Sequence, residues 1–203
     1  FFQSYLIGYM YWMYLTLGSL GLLMVQHLSG GAWGIVSRRV FEASVKTLPV
    51  MAILFLPIAL NVPHLFEWAR PEAAHDPAIQ AKAAYLNVNF FYARAVGYFL
   101  IWMFIAFSLT RVSEKQDADA KRLPGPEDRR SRVISGPGLA AFVLTTTFMS
   151  VDWMMSLDPH WTSTIFGVLF IGGSGLSTLA FTVIVLARLS DAAPMNEIGR
   201  AHV

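Results

Sequence analysis

Apolar residues occupy this chain in five long blocks, at residues 1–28, 41–62, 88–109, 138–157 and 164–189, with polar stretches only between them. A bilayer hydrocarbon core of about 30 Å takes about 20 helical residues, and every block reaches that length. None shows the polar stripe of a helix lying on a soluble core. The pattern predicts an all-α fold: a polytopic bundle of five transmembrane helices. Small residues Gly18, Ser19 and Gly21 in the first block, and Gly167, Gly172, Gly173, Gly175 and Ser177 in the last, offer faces for close helix packing. Pro49, Pro57 and Pro63 punctuate the second. They predict kinks, and each kink frees backbone carbonyls that need new partners.

The connections carry the charge. Residues 64–86 read as a loop broken by Pro71 and Pro77, with a short surface helix over 78–84. Residues 111–137 read as a charged, mobile linker, with Pro124-Gly125-Pro126 and Gly136-Pro137 as breakers. Lys and Arg divide unequally between the two sides. Arg38, Arg39, Lys46, the seven basic residues of the 111–137 linker and Arg188 fall on one side, against only Arg70 and Lys82 on the other. The positive-inside rule makes the first side cytoplasmic. The loop 64–86 and the turn 158–163 then face outward.

Composition narrows the chemistry. Charged residues make up 14% of the chain, against about 25% for a soluble domain. The net charge of +2 is clustered at the ends of the blocks, so it reads as a topology signal and not as a nucleic-acid surface. Cysteine is absent, which excludes disulfides, thiolate zinc sites and cysteine-ligated iron–sulfur clusters within this sequence. His27, His64, His75 and His160 lie at block ends or in loops, where they do not form the matched pairs that an axially ligated haem needs. The expectation is that this chain binds no haem and no iron–sulfur cluster. The sequence opens in mid-block with no initiating Met. Its last seven residues, EIGRAHV, read as a translated sequencing adapter. They are left out of the fold, with His202 and Arg200.

Five residues carry candidate chemistry. Asp152 lies within the fourth block. A rise of 1.5 Å per residue from Gly138 puts it about 9 Å below the outer face. A carboxylate there costs a few kcal/mol unless it is paired or protonated. It is a proton-relay or quinol-hydroxyl candidate; a helix-packing ion pair is the plainer alternative. Arg94, six residues into the third block, comes to the same depth of about 9 Å. Opposite charges at matched depth predict an Arg94–Asp152 pair, with Asp158 as the rival partner. Asp158 and His160 flank Pro159 in the outer turn, as an Asx turn or as a His/Asp pair at a proton exit. Glu42 reads as a salt bridge to Lys46 at i,i+4, or as a cytoplasmic proton entry. The Trp and Tyr residues read mostly as interfacial anchors.

The stretches GGAWGIVSRRVFEA, FLPIAL with HLFEWA, YLNVNFFYARAVGYF and DWMMSLDPHWTSTIFG resemble the F-type membrane subunit of alternative complex III. That complex is a bacterial quinol:cytochrome c oxidoreductase, and the subunit is of the NrfD/polysulfide-reductase-like kind. The resemblance implies about ten spans in two bundles, of which this sequence covers most of the first. It implies a bacterial inner-membrane location and partners: a sister membrane subunit, an iron–sulfur subunit and multihaem cytochrome c subunits. Haem c and iron–sulfur clusters belong to those partners; quinone is the one cofactor with a candidate site here. Quinol oxidation is usually placed in the sister subunit, which leaves proton translocation as the expectation for this one. By their motifs, Arg94, Asp152, Asp158 and His160 are the residues carried over. Two other readings stay open: a secondary transporter with a buried charged site, and a purely structural anchor.

Overall fold

The computed structural model describes residues 1–30, 33–118 and 129–190. Among these residues the fold is helices joined by turns. In chain order the helices are α1 (Phe2–Ser29), α2 (Trp33–Val45), α3 (Leu48–Leu54), α4 (Leu56–Leu60), α5 (Val62–Leu65), α6 (Pro77–Gln80), α7 (Val88–Ala118), α8 (Arg129–Trp153) and α9 (Phe166–Arg188). Five helical stretches are long and apolar enough to cross a membrane: Phe2–Ser29, Val36–Leu60, Val88–Gln116, Arg129–Leu157 and Phe166–Arg188. The chain is a multi-pass helical membrane protein.

The second span is helical only in pieces, and proline is the reason. Pro49, Pro57 and Pro63 each stand in the first turn of a new short helix, α3, α4 and α5. A proline has no N–H for the carbonyl four residues back. The Ala59 carbonyl, four before Pro63, instead accepts from the Tyr92 hydroxyl at 2.7 Å. The Leu54 carbonyl accepts from Tyr5 at 2.8 Å and Met51 from Tyr9 at 3.2 Å. Tyrosines of α1 and α7 thus take up carbonyls of the broken span, which binds it to its neighbours.

The linker differs from its sequence reading. α7 continues to Ala118 and α8 already begins at Arg129, running straight through Pro137. Residues 111–118 and 129–137 are therefore helix. They carry few apolar residues, but each continues a helix that the membrane-embedded part has already nucleated, so extension needs no new nucleus. Residues 119–128 and the segment 197–203 lie outside the described residues. The 64–86 connection is also more ordered than a loop. Two 3₁₀ turns, Glu67–Ala69 and Pro71–His75, and α6 carry Trp68 and Ile79 into the core. The short helix predicted over 78–84 sits earlier, at Pro77–Gln80, because Asp76 caps it and Pro77 starts it.

α1 is the central element, packed against α2, α8 and α9, while α7 packs on α8 and α3. Gly18 lets α9 approach: a Cβ there would collide with the Ser174 backbone and the Thr178 hydroxyl. That hydroxyl donates to the Leu15 carbonyl at 3.2 Å. At the outer half the core is aromatic. Trp153 is fully buried and stacks on Phe55 at 4.4 Å, with Tyr9, Tyr98, Phe99 and Trp102 around it. Trp102 donates to the Thr145 hydroxyl at 2.9 Å. The interfacial-anchor reading therefore fails for Trp68, Trp102 and Trp153, which are core residues, whereas Trp12 and Trp161 are half exposed. Helix register decides this for Trp102 and Trp153, while a 3₁₀ turn carries Trp68 against Phe66 and Phe91.

Candidate functional site

α8 delivers Asp152 one residue before its end, and α7 delivers Arg94 in its second turn. Each charge sits at the wrong end of its helix. A carboxylate at a C-terminus and a guanidinium near an N-terminus both oppose the helix dipole. They find each other instead. Arg94 Nε reaches Asp152 Oδ2 at 2.8 Å and Nη2 reaches Oδ1 at 2.9 Å, the two-pronged geometry that makes guanidinium–carboxylate pairs strong. The Asp152 side chain is 0% exposed and that of Arg94 only 10%, so water screens the pair little. The predicted pair is formed.

The pair makes two further hydrogen bonds. The Tyr98 hydroxyl donates to Asp152 Oδ2 at 2.7 Å, and Arg94 Nη1 donates to the Tyr85 carbonyl at 3.0 Å. The guanidinium lies between two aromatic faces, 3.9 Å from the Tyr85 ring centre and 4.2 Å from that of Phe90. Such cation–π contacts strengthen when desolvated. The Tyr85 hydroxyl is buried beside the same carboxylate without a hydrogen bond of good geometry. Burial first, then the Asp152 charge, pushes the Tyr85 phenol well above its ordinary range. Arg94 and Tyr98 are thus engaged in the cluster while the Tyr85 hydroxyl is not. Asp152 Oδ2 takes two donors and Oδ1 one, so an Oδ1 lone pair stays open to a proton.

The other candidates stand elsewhere. Asp158 is exposed and accepts the His160 N–H at 3.1 Å, closing an Asx turn across Pro159. It is not the partner of Arg94. His160 Nε2 pairs not with Asp158 but with Asp76 Oδ2 at 3.2 Å, and Lys82 Nζ donates to the Pro159 carbonyl at 2.6 Å. Those two bonds tie the α8–α9 turn to the 64–86 connection. At the opposite end, Glu42 is buried but does not pair with Lys46. Arg38 and Arg39 hold it at 2.8 and 2.9 Å. Lys46 lies one residue beyond α2; its N–H still donates to the Glu42 carbonyl at 3.3 Å, but its side chain reaches across to Glu114 of α7 at 2.8 Å. Arg38 and Arg39 also donate to Gln116 and Ser113 of α7. The structure thus brings together Arg94 and Asp152, and separates Glu42, Asp158 and His160 into two further clusters. Among the described residues, no three His, Cys, Asp or Glu side chains come together to hold a metal ion.

Tyr98, Tyr85 and Phe90 escaped the sequence reading. Tyr98 was within reach of it, because it lies four residues after Arg94 on one helix face. So was Phe90, four residues before Arg94 on the same helix; Tyr85 was not, since only folding of the segment before α7 sets its ring against the guanidinium.

The fold and the buried pair define a multi-pass membrane protein with a charge cluster where the start of one span meets the end of another. No model of a known protein family matches the chain, and no curated protein matches it either.

Proposed function

We propose that this chain is an integral membrane subunit of a quinol-oxidising, electron-transferring complex of the alternative complex III kind. In this reading it works in the bacterial inner membrane beside a sister membrane subunit, an iron–sulfur subunit and multihaem cytochrome c subunits. Support comes from the DWMMSLDPHW stretch, whose two ends fasten the end of the span to two different neighbours. Asp152 takes up Arg94, and the Asp158–His160 turn is fastened to the 64–86 connection. The observation that carries the reading is the buried Arg94–Asp152–Tyr98 cluster, since charge within a span marks function by default.

The cluster's chemistry is electrostatic and positional. With both oxygens of Asp152 held, the pair fixes α7 against α8 and sets a bound dipole near the outer face. A proton passed on here is taken up at the open lone pair of Asp152 Oδ1, leaving the Tyr98 hydroxyl bond on Oδ2 in place. Quinone chemistry, where it occurs, belongs to the assembled complex.

The test is to tag the full-length chain in its source bacterium, purify it, and ask what comes with it. Copurification of c-type haem and iron–sulfur absorbance, with quinol:cytochrome c turnover lost on deletion of the gene, is the expected result. A chain that purifies without redox partners and accumulates a solute in proteoliposomes would point to the transporter instead.

A further inference from the structure

At the end of the bundle opposite the Arg94–Asp152 cluster, a groove of about 730 Å³ runs between α7 and the start of α3. Leu48 and Ala106 form its buried floor, and Leu100, Phe104 and Phe107 its exposed walls. Its mouth is ionic: Lys46, Arg111 and Glu114. Glu114 already holds Lys46 at 2.8 Å. Arg111 makes no ion pair among the described residues, and its guanidinium carbon lies over the Phe107 ring, 4.1 Å from the centroid. The mouth therefore carries one uncompensated positive charge, positioned by that contact.

We propose that this groove binds one anionic glycerophospholipid of the cytoplasmic leaflet, with its phosphate on Arg111 and an acyl chain along Phe107, Phe104 and Leu100. Length argues for this occupant. From Leu100 to Arg111 is eleven residues, about 16 Å of helix. That matches one leaflet, half of a hydrocarbon core of about 30 Å. A partner helix would instead need a groove running the whole span. Charge argues the same way, since the cation stands where the acyl region ends and the headgroup layer begins, on the side that the Lys/Arg asymmetry makes cytoplasmic. The inference rests on the membrane topology and not on any quinol role.

The experiment is native mass spectrometry of the full-length protein released from micelles containing equal phosphatidylglycerol and phosphatidylcholine with identical acyl chains. The parent should retain phosphatidylglycerol about fivefold over phosphatidylcholine, the share of one interfacial cation. Arg111→Gln should abolish that preference and Arg111→Lys should keep most of it, which separates loss of charge from loss of fold. Glu114→Gln frees Lys46 and should raise the preference. Equal retention of both lipids by the parent, or an undiminished preference in Arg111→Gln, overturns the proposal. So does a photoreactive residue replacing Phe104 that captures a quinone or a polypeptide in native membranes in place of phospholipid.

Discussion

Replacing Arg94 with methionine keeps most of the side-chain volume and the helix propensity but removes the guanidinium. Asp152 is then left in a site with 0% exposure, with Tyr98 as its remaining side-chain donor. Breaking one side of a buried ion pair costs about 3–5 kcal/mol. A lone carboxylate within a span costs about 2.5–3.5 kcal/mol on insertion scales. The ranges meet near 3 kcal/mol, about a hundredfold in the folded-to-unfolded ratio. Reversible unfolding in mixed detergent–dodecyl sulfate micelles reads this directly. Tryptophan fluorescence is the signal, because Trp102 and Trp153 are buried beside the cluster. The double variant Arg94→Met/Asp152→Leu removes both charges and should recover much of the loss, since an apolar replacement of a whole buried pair is often neutral. The reasoning is refuted if Arg94→Met stays within about 0.5 kcal/mol of the parent. It is equally refuted if the double variant is destabilised by the sum of the two single effects, because contacting residues should couple.

Tyr98→Phe removes one hydrogen bond to a charged acceptor without leaving a cavity, and should cost about 1.5–3 kcal/mol in the same assay. Gly18→Val forces α9 away from α1 and should cost about 1–3 kcal/mol, read as an earlier midpoint with no change in the Arg94 coupling. Alkaline pH should destabilise the outer end. The folded Tyr85 phenol is raised by burial and then by Asp152, so its contribution is complete below its ordinary value of 10.0 and is lost as pH rises beyond it; Tyr85→Phe should flatten that alkaline fall in unfolding midpoints. Cysteines placed at the exposed positions Arg129 and Ala78 test the topology: an impermeant maleimide on intact cells should label position 78 and spare 129, and the reverse pattern would invert the assignment.

What the sequence by itself determined here is what depends on distance along one helix or on a single residue's chemistry. Five spans follow from block length, because the bilayer sets a ruler that each block meets or misses. The breaks at Pro49, Pro57 and Pro63 follow from a missing N–H. The Arg94–Asp152 pair follows from depth, since a common rise per residue brings both charges to one level and neither can stay unpaired there. Only the tertiary structure decided partners that depend on rotation about helix axes and on how separate segments meet. Glu42 pairs with Arg38 and Arg39 and not with Lys46, because α7 brings Glu114 within reach of the Lys46 side chain. Trp102 and Trp153 proved to be core because neighbouring helices cover the side of α7 and α8 that carries them, whereas Trp161, in the turn before α9, stays half exposed. His160 met Asp76 across eighty-odd residues of chain, a contact that spacing along either segment does not encode. The aromatic clamp on Arg94 is of the same kind: Tyr85 lies outside any span, and the fold alone lays its ring over the guanidinium.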